Sequence, residues 1–598
     1  MSEGNVTPIA SAIGAATEER AAKAKTTGAK RDREPERSRD ELDEDAMILE
    51  LVSAPKDMPI QCLGVNGGVY YYLDGLFQLR ALEAPEHGRT HIVSLFARHE
   101  DYLLERWGRR DRKGERNGGL HTDEISNVLM RSCAMAGIID PSRQVRGLGA
   151  WPAPDGGLVF HLGDKVWMDG EYKNPGRYGD HVYPAYAPSM RPHDKAQNAD
   201  AGQELHAMLK TWQWAHPAQS LFALGFIAQG FVVGALDWRT HMIVDGERGS
   251  GKSSLQKLLA RLYGSWLLST SNTSGPALYQ LMGGRAQPIS IDEFEAGDNP
   301  QRKMQVVEIL REASSGGNIA RGGDNHVGRL FSVNFPALLT SIVTISLKPA
   351  DESRMVRGAL KSLADGAVAP DLSAEKMGKL GSKIMRRMRD QWPRFAATYA
   401  NYKEALSRYA GLDQRGQDTY GTLMACADLL LTDTTPSVAS LEGMMLEVKA
   451  MLAPARAESL GDQERCVEHL MQSAIDTGGG HKRSVASWIR QSQQMNENGH
   501  PDLDNQAAAR RSLAMAGLRV DHISDKEGLA LFVANTHPAL TRIFDATPWP
   551  GVAGAPGSWV GVLRRLPGAS PTGAKKINGH VTRGTYIPLA DLIDWVDD

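Results

Sequence analysis

Cysteine is scarce and scattered: four in 598 residues, Cys62, Cys133, Cys426 and Cys466, with no CxxC pair. That spacing argues against a zinc knuckle and gives a disulfide framework no support. Reduced, isolated thiols suit a cytosolic protein. An excess of one charge is also missing. The chain carries 68 Lys and Arg against 71 Asp and Glu, so it is no polycation, and any nucleic-acid surface has to be local. No apolar run is long enough to read as a membrane span. The most apolar stretch, Leu221 to Leu236, contains Gln229 and three glycines and stops at Asp237, which suits a buried helix and no membrane partner. A basic segment followed by a clear apolar core is lacking at the N-terminus, so no signal peptide is expected. Residues 1–45 have almost no large apolar side chains after Ile13 and read as a disordered charged tail. Its basic cluster at 30–39 is cancelled by the acidic run at 40–45.

What is present is more telling. Residues 246–253 read Gly246-Glu247-Arg248-Gly249-Ser250-Gly251-Lys252-Ser253, a complete GxxxxGKS loop followed by Ser254. The apolar run His241–Val244 precedes it as a strand. Leu255, Leu258, Leu259 and Leu262 follow at helical spacing. Strand, glycine loop and helix are the setting in which backbone N–H groups and a helix N-terminus cradle phosphate. In that setting Lys252 reaches the β- and γ-phosphates of ATP, and the Ser253 hydroxyl is a Mg²⁺ ligand. The alternative is a chance glycine turn before a helix.

About forty residues on, the buried-strand run Pro288–Ile291 ends in Asp292-Glu293. Asp292 suits Mg²⁺, directly or through water, and Glu293 suits activation of the attacking water. A Gly-rich basic stretch follows, from Arg321 to Phe331. Next comes a second buried strand, Phe335 to Ile342, with Thr340 and Ser341 near its end. Asp351-Glu-Ser-Arg354 lies beyond a turn.

This order is that of an AAA+-type core. The pieces WRTHMIVDGERGSGKSS, PISIDEFE, REASSGGNIARGG and LLTSI with DESRM resemble superfamily 3 helicases, and especially the helicase half of phage and plasmid primase-helicases. The resemblance covers little more than a hundred residues, Trp238 to Arg354. It implies a ring, a homo-hexamer, with ATP between subunits and with Arg354 reaching the neighbour's site; Arg357 is a competitor. It implies that the 316–329 hairpin lines a DNA channel, with Arg321, His326 and Arg329 as contacts. The family usually ends its sensor strand with Asn. Here that position is Ser341, with Thr340 as a rival.

Elsewhere the reading is coarser. Residues 46–200 suggest a mixed α/β domain with strands at 69–73, 157–161 and 165–167 and a helix around 124–138. No convincing set of primase metal-binding acids occurs in it, since Asp164 and Asp169 are isolated. His121, His161 and His181 read as structural or surface residues. Residues 201–372 comprise a helical lead-in and the P-loop core, and 373–475 a helical lid or collar.

Residues 481–598 read as a winged-helix-like region. Helices at 484–494 and 505–516 precede strands at 517–520 and 528–533. The pattern recurs as a helix at 559–566 and strands at 575–580 and 583–587. Over 481–590 there are 13 Lys and Arg against 7 Asp and Glu. Arg564, Arg565, Lys575, Lys576 and Arg583 cluster around one helix and wing and suit phosphate contacts; a packing domain with solvated lysines is the alternative.

The expected architecture is therefore a multidomain α/β chain. Its expected activity is that of an ATP-dependent, Mg²⁺-using DNA helicase or translocase of phage, prophage or plasmid replication. It would work in the bacterial cytoplasm on single-stranded or forked DNA, alongside other replication proteins. A non-processive AAA+ switch, such as a helicase loader or a transposition or defence ATPase, is the alternative.

Overall fold

The computed structural model describes residues 55–592 except 56, 115, 272, 293, 295–299, 323–327, 343–346, 364–369, 459–460, 477–481, 497–498, 524–527, 546 and 553. The expected charged tail, Glu293 and His326 lie outside the described residues. The chain divides into two compact units, Met1–Met445 and Leu446–Asp598.

The first unit begins with a three-stranded antiparallel sheet, Gln61–Asn66, Val69–Leu73 and Leu79–Glu83. Helix Thr122–Ala136 buries Ile125, Leu129 and Cys133 in the core beside it. A four-stranded antiparallel sheet runs from Gly149 to Lys173. In its second strand His161 is buried, so this residue belongs to the core and not to the surface.

Helix Ala218–Gln229 occupies most of the long apolar run, with Phe222, Phe226 and Ile227 fully buried. Gln229, at its C-terminal end and fully buried, exchanges hydrogen bonds with the backbone of Thr240 at 2.6 and 3.1 Å. This pairing removes the cost of burying an amide. Among the described residues no helix is long and apolar enough to cross a membrane.

The centre of the unit is a five-stranded parallel sheet. Its strands are β1 (His241–Gly246), β2 (Leu268–Thr270), β3 (Ile289–Ile291), β4 (Ala337–Ser341) and β5 (Met355–Leu360). The spatial order is β2-β3-β4-β1-β5. All of β4 and nearly all of β1 is buried, as expected of parallel strands covered on both faces. Helix α1 (Lys252–Tyr263) covers one face with Leu255, Leu258, Leu259 and Leu262, the stripe expected from the sequence. The chain leaves β1 for the far edge, returns through β3 and β4, and then crosses to β5 on the other side. Such a reversal opens a crevice at the carboxyl ends of the strands. Of the three helices that follow, Ala374–Gln391 and Phe395–Ala410 each pack on Gln414–Leu431.

The second unit contains helices α2 (Val485–Gln491) and α3 (Leu503–Met515), each N-capped by a side chain, Ser484 and Asp502. Four strands follow: β6 (Leu518–Ile523), β7 (Gly528–Ala534), β8 (Ser570–Ile577) and β9 (His580–Pro588). The two expected strand pairs are not separate wings. Pairing of β7 with β9, from Ala530↔Pro588 to Ala534↔Gly584, joins them into one antiparallel sheet, β6-β7-β9-β8. Asn578 and Gly579, expected inside a strand, are instead the hairpin turn. Both have positive φ, 43° and 82°, which a two-residue turn requires to match strand twist. The expected helix at 559–566 ends at Leu563. It inserts Trp559 into the core, stacked on Phe544 at 5.0 Å.

Candidate functional site at the carboxyl end of the parallel sheet

The glycine loop joins β1 to α1. A Cβ at Gly246 would lie 2.6 Å from Ser250 Oγ and 2.8 Å from the Leu360 carbonyl, so only glycine fits. Gly251 caps α1 at φ 95°, a left-handed conformation that glycine adopts without strain. Its carbonyl accepts a 3.0 Å bond from Trp212 Nε1, and this fixes the loop from below. Trp212 could not be assigned from sequence because it stands 39 positions before Gly251 in the chain.

Lys252 is folded back. Its Nζ donates to the Gly246 carbonyl and, at 2.9 Å, to the Glu247 carbonyl. Ser250 is fully buried, and among the described residues its Oγ has no hydrogen-bond partner. Ser253 and Ser254 are exposed at the start of α1.

Facing this loop, Asp292 follows β3, and its backbone N–H is held by the Thr270 carbonyl at 3.0 Å. Thr340 Oγ1 donates to Asp292 Oδ1 at 2.7 Å and accepts from Gln256 Nε2 at 2.9 Å. Gln256 sits one turn after Lys252 on α1. The chain Gln256–Thr340–Asp292 thus ties the loop helix to the two strand ends and orients the carboxylate. Thr340 and Ser341 are both buried. Thr340 makes the direct bond to Asp292, and Ser341 lines the same cavity.

That cavity is about 500 Å³ and is lined by residues 248–254, Asp292, Thr340, Ser341, Ile342 and Leu363. Its size is that of a small-molecule site. Just before the loop, Asp245 near the end of β1 accepts from Arg357 Nη1 at 3.3 Å, and Arg357 Nε also bonds Glu352 at 3.0 Å. Burial pushes the Asp245 carboxyl up, and Arg357 only partly opposes this.

Arg354 lies elsewhere. Its carbonyl accepts from His241 N, at the start of β1. The glycine loop leaves the other end of that six-residue strand, roughly 17 Å away at the usual rise. Arg354 Nη1 donates to the Ala350 carbonyl, and its guanidinium lies 5.9 Å from the Trp238 ring centre. Burial, then Arg415 and Arg311, lower its pKa. It therefore cannot serve the loop of its own chain.

The 316–329 hairpin forms as Asn318–Gly322 paired with Gly328–Ser332, with Arg321 opposite Arg329. In the second unit Arg564, Arg565, Lys576 and Arg583 are exposed. Lys575 is not a free cation: its Nζ bonds Asp521 at 3.1 Å and Tyr586, and it lies 4.7 Å from the Tyr586 ring centre. The same carboxylate binds Arg519 at 2.7 Å. Alternation along β8 turns Lys575 onto the sheet face while its neighbour Lys576 points to solvent.

No family model matches the chain, and no curated protein matches it in sequence. Among solved structures it is similar to the active helicase SCCmec type IV Cch, with a TM-score of 0.46 at 10% identity over 90% of this chain and 94% of that one. It is also similar to the apo C-terminal region of NrS-1, with a TM-score of 0.33 at 10% identity over 92% and 99% of the two chains. At these values neither likeness bears on function.

Proposed function

We propose that this chain is an ATP-dependent DNA helicase or translocase of phage, prophage or plasmid replication, acting as a ring with nucleotide between subunits. The observation that carries the reading is the cavity where the loop 246–251, Lys252 and Ser253 face Asp292 across the carboxyl end of a parallel sheet.

The residues suit a nucleotide with Mg²⁺. Ser250 Oγ is a buried hydroxyl without a partner among the described residues. Lys252 occupies loop carbonyls that a triphosphate would displace. A Ser hydroxyl and one carboxylate are the few protein ligands Mg²⁺ takes when phosphates and water complete its shell. Ser253 and Asp292 would hold the ion, which when bound neutralises phosphate charge. Thr340 and Gln256 keep the Asp292 carboxylate aimed at the loop. Glu293, next in the chain, takes the proton of the attacking water. Arg354, at the opposite end of the sheet, supplies charge to the nucleotide of the next subunit. The hairpin bearing Arg321, His326 and Arg329 contacts the DNA backbone, and the exposed Arg564, Arg565, Lys576 and Arg583 add contacts from the second unit.

Strand displacement on a forked duplex, run beside ATPase assays with and without DNA, tests the proposal. Unwinding that requires hydrolysable ATP is expected. DNA-stimulated hydrolysis without unwinding would instead mark a non-processive switch.

A further inference from the structure

The residues that the sequence singles out in the second unit are not its best-built polar surface. A groove of about 760 Å³ lies between α2, α3 and the strand Lys482–Ser484. Arg483, Ser487, Arg490, Gln491, Gln494 and Asn505 line it, and among the described residues no carboxylate does. The lining is held in place. Arg483 Nη1 donates to Gln491 Oε1 at 2.9 Å, and its guanidinium lies 5.3 Å from the Trp488 ring centre. Gln491 Nε2 donates to Asn505 Oδ1 at 3.2 Å, and Asn505 Nδ2 to Asp502 Oδ2 at 2.8 Å. A single relay therefore fixes three groove side chains across two helices. Within the described residues Arg483 has no carboxylate partner.

We propose that this groove docks duplex DNA, with Arg483 and Arg490 on phosphates and Gln491, Gln494 and Asn505 at base edges; the proposal rests on the reading of the chain as a DNA-acting protein. Guanidiniums neutralise phosphate, and Asn and Gln amides match the donor–acceptor edge of adenine in the major groove, which is wide enough for a helix such as α3. A protein partner fits less well, because interface hot spots are enriched in Trp and Tyr as well as Arg, and among the described residues no aromatic or aliphatic side chain lines the groove. Fixed side chains lose little rotamer freedom on binding.

The test uses the full chain without nucleotide and a fluorescent duplex, titrated over a salt series. Arg483→Gln with Arg490→Gln should lower the log–log salt slope by about 1.8, two phosphate contacts' worth. Hydrolysis measured without DNA should stay unchanged. Arg490→Gln alone leaves the Arg483–Gln491 bond intact; it should give half the slope change and covers the case of a misfolded double variant. Selection from a randomised duplex pool should show sequence preference for the native chain. With Asn505→Ala that preference should drop by about 5- to 150-fold at one position. Native binding with an unchanged slope in the folded variants overturns the groove and leaves the proposed function standing. Binding with no sequence preference overturns the base-edge role. A native chain that binds no DNA, and whose ATPase ignores DNA, overturns both readings.

Discussion

Thr340→Val removes one hydroxyl and keeps the shape of the side chain, so it isolates the link between α1 and the strand ends. Thr340 is 1% exposed, and its Oγ1 serves both Asp292 at 2.7 Å and Gln256 at 2.9 Å. A hydrogen bond to a charged group contributes about 1.5–3 kcal/mol and a neutral one about 1 kcal/mol. Asp292 borders a cavity that water can enter and Gln256 is only half-buried, so the net loss of stability should stay at about 1–2 kcal/mol. The functional loss should be larger in proportion. A carboxylate without its orienting partner typically weakens metal affinity by about 10- to 100-fold. The measurement is the Mg²⁺ concentration giving half-maximal ATP hydrolysis, beside urea denaturation. Thr340→Ser keeps the hydroxyl and should restore the native Mg²⁺ dependence. A folded Thr340→Val chain with native Mg²⁺ half-saturation would refute the role of Thr340 in aiming Asp292.

Lys252→Ala should abolish hydrolysis and weaken nucleotide binding, whereas Glu293→Gln should keep ATP bound while turnover falls by roughly 10²-fold or more; equal losses of binding and turnover in the second variant would remove Glu293 as the base. Arg354→Ala should leave binding by each subunit intact and cost on the order of 10³-fold in turnover, and mixing with Lys252→Ala subunits should restore some activity. Absence of rescue in a demonstrated co-assembly counts against a finger supplied between subunits. Acid should destabilise the first unit in part through His241, which burial pushes down to about 4. The unfolded chain protonates this residue near 6.5, so its contribution is complete above that pH and falls as pH drops toward 4, by about 2 kcal/mol at pH 5. His241→Gln can keep the bonds to Ala337 N and the Leu310 carbonyl; its stability deficit measured by urea should shrink between pH 7 and pH 5, and a constant deficit would refute the assignment.

Local order determined much of what could be read from residues alone. The strand before Gly246, the leucine stripe of α1 and the buried runs that became β3 and β4 each depend on neighbours within about a dozen positions, where periodicity and glycine placement are visible. The loop 246–253 is legible for the same reason: its chemistry is contiguous. Separation along the chain hid the rest. Trp212 meets Gly251, and Gln256 meets Thr340, only because the tertiary fold lays the lead-in segment and helix α1 against the parallel sheet. Nothing in either sequence neighbourhood records the partner.

Tertiary structure alone also decided orientation and company. Arg354 stands at the far end of β1 from its own loop, a fact of strand direction that spacing does not contain. Lys575 and Lys576 are adjacent and chemically alike in sequence. Alternation along β8 gives one to Asp521 and Tyr586 and leaves the other in water. The two expected wings merged because β7 and β9 expose edges that pair across fifty residues, where backbone hydrogen bonding, which is blind to sequence distance, made one sheet of them.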